Sequence, residues 1–228
     1  MYVELGAKMG HSCQSLPEQQ MVLIRYSWEL DGSFLLYHFL SMYFRANGRV
    51  LLVAVSNSAE HYDAVLAKFG FTVKRLVERK VCYVIDVLKL LSSGSWSNIA
   101  SDGQGNLSDV KEENVAEMNS LKLMDVLWNC LSAASSVIQQ DQQSPVLVVV
   151  DDVSLLNDFG VPLHRIIGFL HGCRKVAGPR SCFCVSTSAE QRHTLLSAYL
   201  SHMATWLLDV RPLGTGMSSD VHGQVNFF

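Results

Sequence analysis

Five consecutive apolar residues, Val146-Leu-Val-Val-Val150, end without transition on two acids, Asp151 and Asp152. A short run rich in β-branched residues, opened by Pro145, reads as a strand covered on both faces, the kind found inside a parallel sheet. Such a strand needs helices on either side of it, which predicts an alternation of strand and helix along the rest of the chain.

That alternation is present. Met21–Tyr26 reads as a buried strand. Ser33–Ala46 follows with apolar residues at Phe34, Tyr37, Leu40, Met42 and Phe44, and Asn47-Gly48 supplies a left-handed stop. Strand Val50–Val55 precedes a helix capped by Ser58 and closed after Phe69 by Gly70. Val81–Val87 is the next strand, and Leu121–Gln140 resumes helical character on the stripe Leu123, Val126, Leu127 and Leu131. After Val146–Val150 come a helix from Pro162 to Val176, a strand Cys182–Ser186, a helix Glu190–Leu200 and a strand Met203–Asp209. Gly214–Ser219 reads as a loop, and Gly223–Phe228 as half of a terminal β hairpin with no partner strand after it. The expected architecture is α/β: a doubly wound, mostly parallel sheet with a C-terminal β hairpin element. Residues 1–20 read as an irregular lead-in whose Val3 and Leu5 pack on the body. Residues 21–228 read as one domain, interrupted at about 92–113 by a flexible, Ser- and Gly-rich excursion.

Composition limits the function classes. Of 228 residues, 49% are hydrophobic and only 17% charged, against roughly 25% charge in a typical soluble domain, so a disordered chain is excluded. A net charge of −3 argues against a free-standing nucleic-acid binder with a wholly basic face. No apolar run approaches the ~20 residues that span a bilayer, the start Met1-Tyr2-Val3-Glu4 lacks the basic opening of an export signal, and a cytoplasmic chain without membrane contact is expected. The scattered cysteines, Cys13, Cys82, Cys130, Cys173, Cys182 and Cys184, read as reduced thiols, and Cys182 and Cys184, on one face of a strand, as buried structural ones. His164 and His171 form no zinc spacing with them, so no metal site is expected.

In doubly wound sheets ligands bind beyond the carboxyl ends of strands, which directs attention to the turns after Tyr26 and after Val150. A phosphate-binding loop, G-x-x-x-x-G-K-[ST], wraps phosphates in backbone N–H groups, neutralises them with Lys and holds magnesium with a hydroxyl. The corresponding octet here is Ser27-Trp-Glu-Leu-Asp-Gly32-Ser33-Phe34. Ser27 replaces the first glycine, Ser33 the Lys and Phe34 the magnesium hydroxyl, while Glu29 and Asp31 would repel phosphate. Only Gly32 survives, and the loop reads as a disabled, degenerate P-loop. Asp151 and Asp152 stand where a magnesium-bound water would be held; the alternative is that they merely close the strand and the next turn. No other catalytic constellation is present. Arg165, Arg174, Lys175, Arg180, Arg192 and His193 make the second half the more basic surface, either as ordinary helix decoration or, at the loop Thr187–His193, as a face for a polyanion.

Asp31-Gly-Ser-Phe-Leu-Leu-Tyr-His-Phe-Leu-Ser41, then Val146-Leu-Val-Val-Val-Asp-Asp152 followed by Leu155-Leu156, and Asp220-Val-His-Gly-Gln224 near the end resemble, in that order, the Elongator complex protein 6 family. The resemblance implies a RecA-like fold of the P-loop NTPase type that has lost its phosphate-loop lysine. It further implies assembly with the fourth and fifth Elongator subunits into a hexameric ring that binds tRNA. That ring serves the catalytic Elongator core, which makes carboxymethyl-type modifications on wobble uridines, in the cytoplasm and also the nucleus. In that setting the chain is expected to be non-catalytic, with Ser27, Gly32, Ser33, Phe34, Asp151 and Asp152 as a degenerate nucleotide site and Arg165, Arg192 and His193 as candidate tRNA contacts. No cofactor is expected on this chain itself; the alternative is a diverged NTPase subunit that contributes to ATP hydrolysis, with ATP and magnesium held at ring interfaces. Relative to the family, the chain stops at Phe228 inside the first strand of a C-terminal β segment.

Overall fold

The computed structural model describes residues 3–27, 29–92, 112–138, 144–214 and 223–228. Most of the excursion expected at about 92–113, most of the loop Gly214–Ser219 and most of the motif Asp220–Gln224 lie outside the described residues.

The apolar run is strand β4 (Val146–Val150), and all five of its residues are buried. Its side chains alternate between two cores, as a pleated strand requires. Val146, Val148 and Val150 face one, and Leu147 and Val149 face the other. On one side β4 pairs in parallel with β2 (Arg49–Ala54), which pairs with β3 (Cys82–Asp86). On the other it pairs in parallel with β5 (Ser181–Ser188), then β1 (Gln20–Tyr26), then β6 (Trp206–Arg211). The sheet of seven strands is completed by β7 (Gln224–Phe227) in the order β3-β2-β4-β5-β1-β6-β7. Strand β7 is antiparallel to β6, in register Leu208 with Phe227 and Arg211 with Gln224. The terminal segment is therefore one arm of a hairpin, as expected, and its partner arm is β6, which precedes it in the chain.

Helix α2 (Ser33–Arg45), which leaves β1 for β2, lies on the Leu147/Val149 face and is buried from Leu35 to Phe44. It is enclosed because a second helix covers it. The lead-in contains α1 (Val3–Met9), whose Leu5 and Met9 are buried in the same core, and the Tyr43 hydroxyl of α2 donates to the Pro17 carbonyl at 2.6 Å. The lead-in is thus a helix and a strap, not an irregular segment; Gly6 sits mid-helix because a Cβ there would come within 2.7 Å of the His11 carbonyl oxygen. Helices α3 (Ala59–Ala67) and α4 (Val73–Glu78) extend this layer, with Ser58 accepting the His61 N–H as expected of a cap.

The opposite face carries α5 (Val87–Ser92), α6 (Glu112–Ile138), α8 (Leu163–Ala177) and, after a 3-10 turn at Gln191–His193, α9 (Thr194–Met203). Helix α6 begins at Glu112, well before the expected Leu121. It packs on α8 where the Trp128 ring stands edge-on to Phe169, centroids 5.9 Å apart, and lies directly over Gly172. A one-turn helix, α7 (Ser154–Asp158), follows β4. The left-handed stop after α2 falls on Asn47, φ 55°, rather than on Gly48.

Candidate functional site

The carboxyl ends of β1, β4 and β5 form one edge, and the predicted nucleotide residues gather there. The α2 N-terminus is where a phosphate would sit, because its first N–H groups have no partner within the helix. Here the chain supplies its own anion. The Asp31 carboxylate accepts the Ser33 N–H at 2.8 Å and the Ser33 hydroxyl at 2.6 Å. Gly32 has φ −88°, open to any residue, but a Cβ on it would come within 3.1–3.2 Å of Tyr26 and Ile24. That glycine is favoured by the tight packing there rather than by a phosphate turn. Phe34 packs against the apolar core beneath α2, and the Ser27 hydroxyl is buried without a hydrogen bond among the described residues.

The two acids after β4 diverge. Asp151, 1% exposed, reaches toward β2 and accepts from the backbone N–H groups of Val55 and Ser56, the Ser56 hydroxyl and the Tyr62 hydroxyl of α3, the last at 2.5 Å. Burial pushes its pKa up, and those hydrogen bonds draw it partly back. Tyr62 is itself raised, by burial and then by the Asp151 charge. Asp152 has φ 39°, a left-handed conformation that Asp tolerates better than most residues, and it turns toward β5. Its N–H donates to the Ser186 hydroxyl at 2.8 Å, and its carboxylate accepts from Ser154, whose oxygen takes the Ser188 N–H at 3.2 Å. From β1, Tyr26 hydrogen-bonds Asp152; burial first, then this acid, raises its phenol.

These residues do not fit a magnesium-bound triphosphate. The anion position is occupied by Asp31, Asp151 is saturated by four donors, and Ser33 and Phe34 provide neither the cation nor the hydroxyl. What the arrangement does is tie β1, β2, β4, β5 and α3 together at one edge. Sequence reasoning found Asp151, Asp152, Gly32 and Ser33 but not Tyr62, Ser56, Ser154 or Ser186, whose roles depend on strands distant in sequence. The capping role of Asp31 was legible, since an acid two residues before a helix start is an Asx-turn signature.

The candidate polyanion surface is less basic than its composition. Arg165 is exposed on α8. Arg192 is exposed but pairs with Glu190 at 2.9 Å and Asp158 at 3.4 Å. His193 is buried, 2% exposed, with Nε2 3.4 Å from Asp158. It is not a surface contact, which corrects the expectation. A 3-10 turn sends consecutive side chains about 120° apart, so Arg192 turns out and His193 turns in. Arg180 pairs with Glu18 at 2.8 Å. Cys182 and Cys184 are buried thiols, with burial raising Cys182 to about 12. Among the described residues no three His, Cys, Asp or Glu side chains form a metal-binding group, and no helix is long and apolar enough to cross a membrane.

Comparison with known proteins gives a consistent picture. The family described as Elongation complex protein 6 matches residues 2–228. Elongator complex protein 6 of Xenopus laevis is 30% identical over 234 residues, covering 99% of this chain and 84% of that protein. The Homo sapiens protein of the same name is 28% identical over 233 residues, covering 99% and 85%. Among solved structures, the flagellar accessory protein FlaH of Methanocaldococcus jannaschii superposes with a TM-score of 0.62 at 11% identity, covering 98% of this chain and 83% of that one. PH0321 of Pyrococcus horikoshii, crystallised with an unknown peptide, gives 0.60 at 15% identity, covering 99% and 87%. At these identities the likenesses carry the fold alone, a RecA-like one.

Proposed function

Since the chain belongs to the Elongation complex protein 6 family, and so has other Elongator subunits as its partners, we propose that it is a non-catalytic, RecA-like member of that complex. It assembles with the fourth and fifth Elongator subunits into a hexameric ring that binds tRNA and supports wobble-uridine modification, in the cytoplasm and nucleus. The observation that carries the non-catalytic reading is the Asp31 carboxylate on the Ser33 N–H and hydroxyl: the helix end that would hold phosphate is held by the chain's own acid.

Ring assembly is supported by the low charge of the chain, 17%, and by apolar side chains left in solvent, Leu195 at 76% and Val77 at 43% exposure. Subunit interfaces are depleted in charge at their centres. For tRNA, exposed Arg165 is the better candidate; Arg192 reaches a phosphate only by giving up Asp158 or Glu190.

The test is co-expression with the fourth and fifth Elongator subunits, native mass measurement, and ATPase and tRNA-binding assays on the assembly. A hexamer whose ATPase rate is unchanged by Ser33→Ala and Asp152→Asn in this subunit is expected. Failure to co-purify overturns the ring, and a tenfold or greater loss of ATPase, roughly the effect of one lost transition-state contact, would establish the diverged-NTPase alternative.

A further inference from the structure

A cavity of about 440 Å³ opens between β1, β6 and the first turn of α9, and of the predicted nucleotide residues Ser27 alone is among its lining residues. Arg25, Ser27, Thr194, Ser197, Asp209 and Arg211 are among its walls. Asp209 is 1% exposed and is gripped from both sides: Arg25 Nε donates to one oxygen at 2.9 Å and Arg211 Nε to the other. Burial alone would raise its pKa, but the two arginines outweigh that and hold it below the ordinary carboxylate value. The aspartate therefore stays ionised and acts as an internal clamp.

The clamp engages only one nitrogen of each guanidinium. The Nη ends of Arg25 and Arg211 make no hydrogen bond among the described residues. Two cations against one anion leave a net charge of +1 in the cavity, and fixed guanidinium forks match tetrahedral oxyanions well. Two further features point to an anion. Thr194, Ser197 and Ala198 line the cavity with one face of the first turn of α9, a helix of ten residues that has no side-chain cap, so its positive end adds to the field. The Ser27 hydroxyl is buried without a partner, a donor with nothing to donate to.

We propose that this cavity binds the phosphate group of a small phosphomonoester, gripped by the Nη ends of Arg25 and Arg211 with the Ser27 hydroxyl as a third donor. A phosphomonoester presents three free oxygens to two forks and a hydroxyl where a carboxylate presents two, and its charge near −2 matches the cavity better. The volume lies within the range of small-molecule sites, and Ala189, Ala198, Val210 and Pro212 provide an apolar wall for the organic part. The proposal does not rest on the ring assignment.

The experiment is calorimetric titration of the full chain with inorganic phosphate, ribose 5-phosphate and a short oligonucleotide lacking a terminal phosphate, at fixed ionic strength. Expected is saturable binding of ribose 5-phosphate, tighter than inorganic phosphate, weakened about tenfold by Arg211→Gln through loss of a charge-assisted contact and less by Ser27→Ala, with each variant still melting cooperatively well above the assay temperature. Arg211→Lys, which keeps the charge without the fork, falls between. Absence of saturable binding up to about 10 mM, well beyond a useful affinity, overturns the proposal. Equal affinity in Arg211→Gln overturns it too, and so does binding of the oligonucleotide alone, which would assign the arginines to a polynucleotide backbone.

Discussion

The Tyr62 hydroxyl lies 2.5 Å from the Asp151 carboxylate, and this contact ties the tip of β4 to α3 across the end of β2. Because the same carboxylate also satisfies the N–H groups of Val55 and Ser56, its removal strands several buried donors at once. Asp151→Ala is expected to cost about 2–4 kcal/mol, on the basis of about 1–3 kcal/mol per unsatisfied buried group with partial relaxation. Asp151→Asn, which still accepts from the backbone and can donate to the two hydroxyls, costs much less. Chemical denaturation midpoints check both. Equal losses would mean that the charge, not the hydrogen-bond geometry, matters.

Gly172 lies under Trp128: a Cβ there would be 2.4 Å from Cη2 and 2.5 Å from Cζ3 of the indole. Helix propensity alone favours Gly→Ala by about 1 kcal/mol. Gly172→Ala is nonetheless expected to destabilise, because the ring is held edge-on to Phe169 and must lose that contact. In a Trp128→Leu background the same substitution turns stabilising. Thermal melts of the four variants give the sign in each background.

Asp31 works as a cap rather than as a ligand. Asp31→Ala is expected to lower stability by about 1 kcal/mol, the usual cost of a lost N-terminal cap, whereas Asp31→Asn keeps most of it. Neither variant gains affinity for magnesium-ATP, since Phe34 remains packed in the core and Ser33 is not a lysine. Saturable ATP binding by Asp31→Asn in a calorimeter would refute this.

Burial lowers His38 from the ordinary 6.5 to about 4. The unfolded chain takes up this proton near pH 6.5 and the native chain only near pH 4, so between those values the unfolded state binds more protons and stability falls as the pH falls. The slope from this one group is at most about 1.4 kcal/mol per pH unit. His38→Gln is expected to flatten the stability profile across that window. A parallel offset, with no change of slope, would exclude His38 as the origin.

The sequence was informative where the pattern is local. Val146–Val150 declares itself because β-branched residues run without interruption, and Ser58 because a cap sits directly before its helix. Helices α4 and α7, one turn or so each, are too short to develop a period, and α1 was hidden because Gly6 and Gly10 look like breakers. The β6 and β7 pairing was missed because the arms are joined by a connection with no hairpin signature. At the candidate site, the failed phosphate loop could be read residue by residue. The partners that consume Asp151 and Asp152 could not, since Ser56, Tyr62 and Ser186 enter from three other elements, and Arg25 meets Asp209 across 184 positions of sequence.

The buried thiols give the sheet a built-in clock. Cys82, Cys173, Cys182 and Cys184 are closed to solvent, and burial raises each of them well above its ordinary value, so the reactive thiolate is scarce as well as shielded. A maleimide should first modify the half-buried Cys13 and Cys130. Later additions, counted by mass, then time the opening of the strands and helix that carry the other four, in a native chain bearing no engineered label.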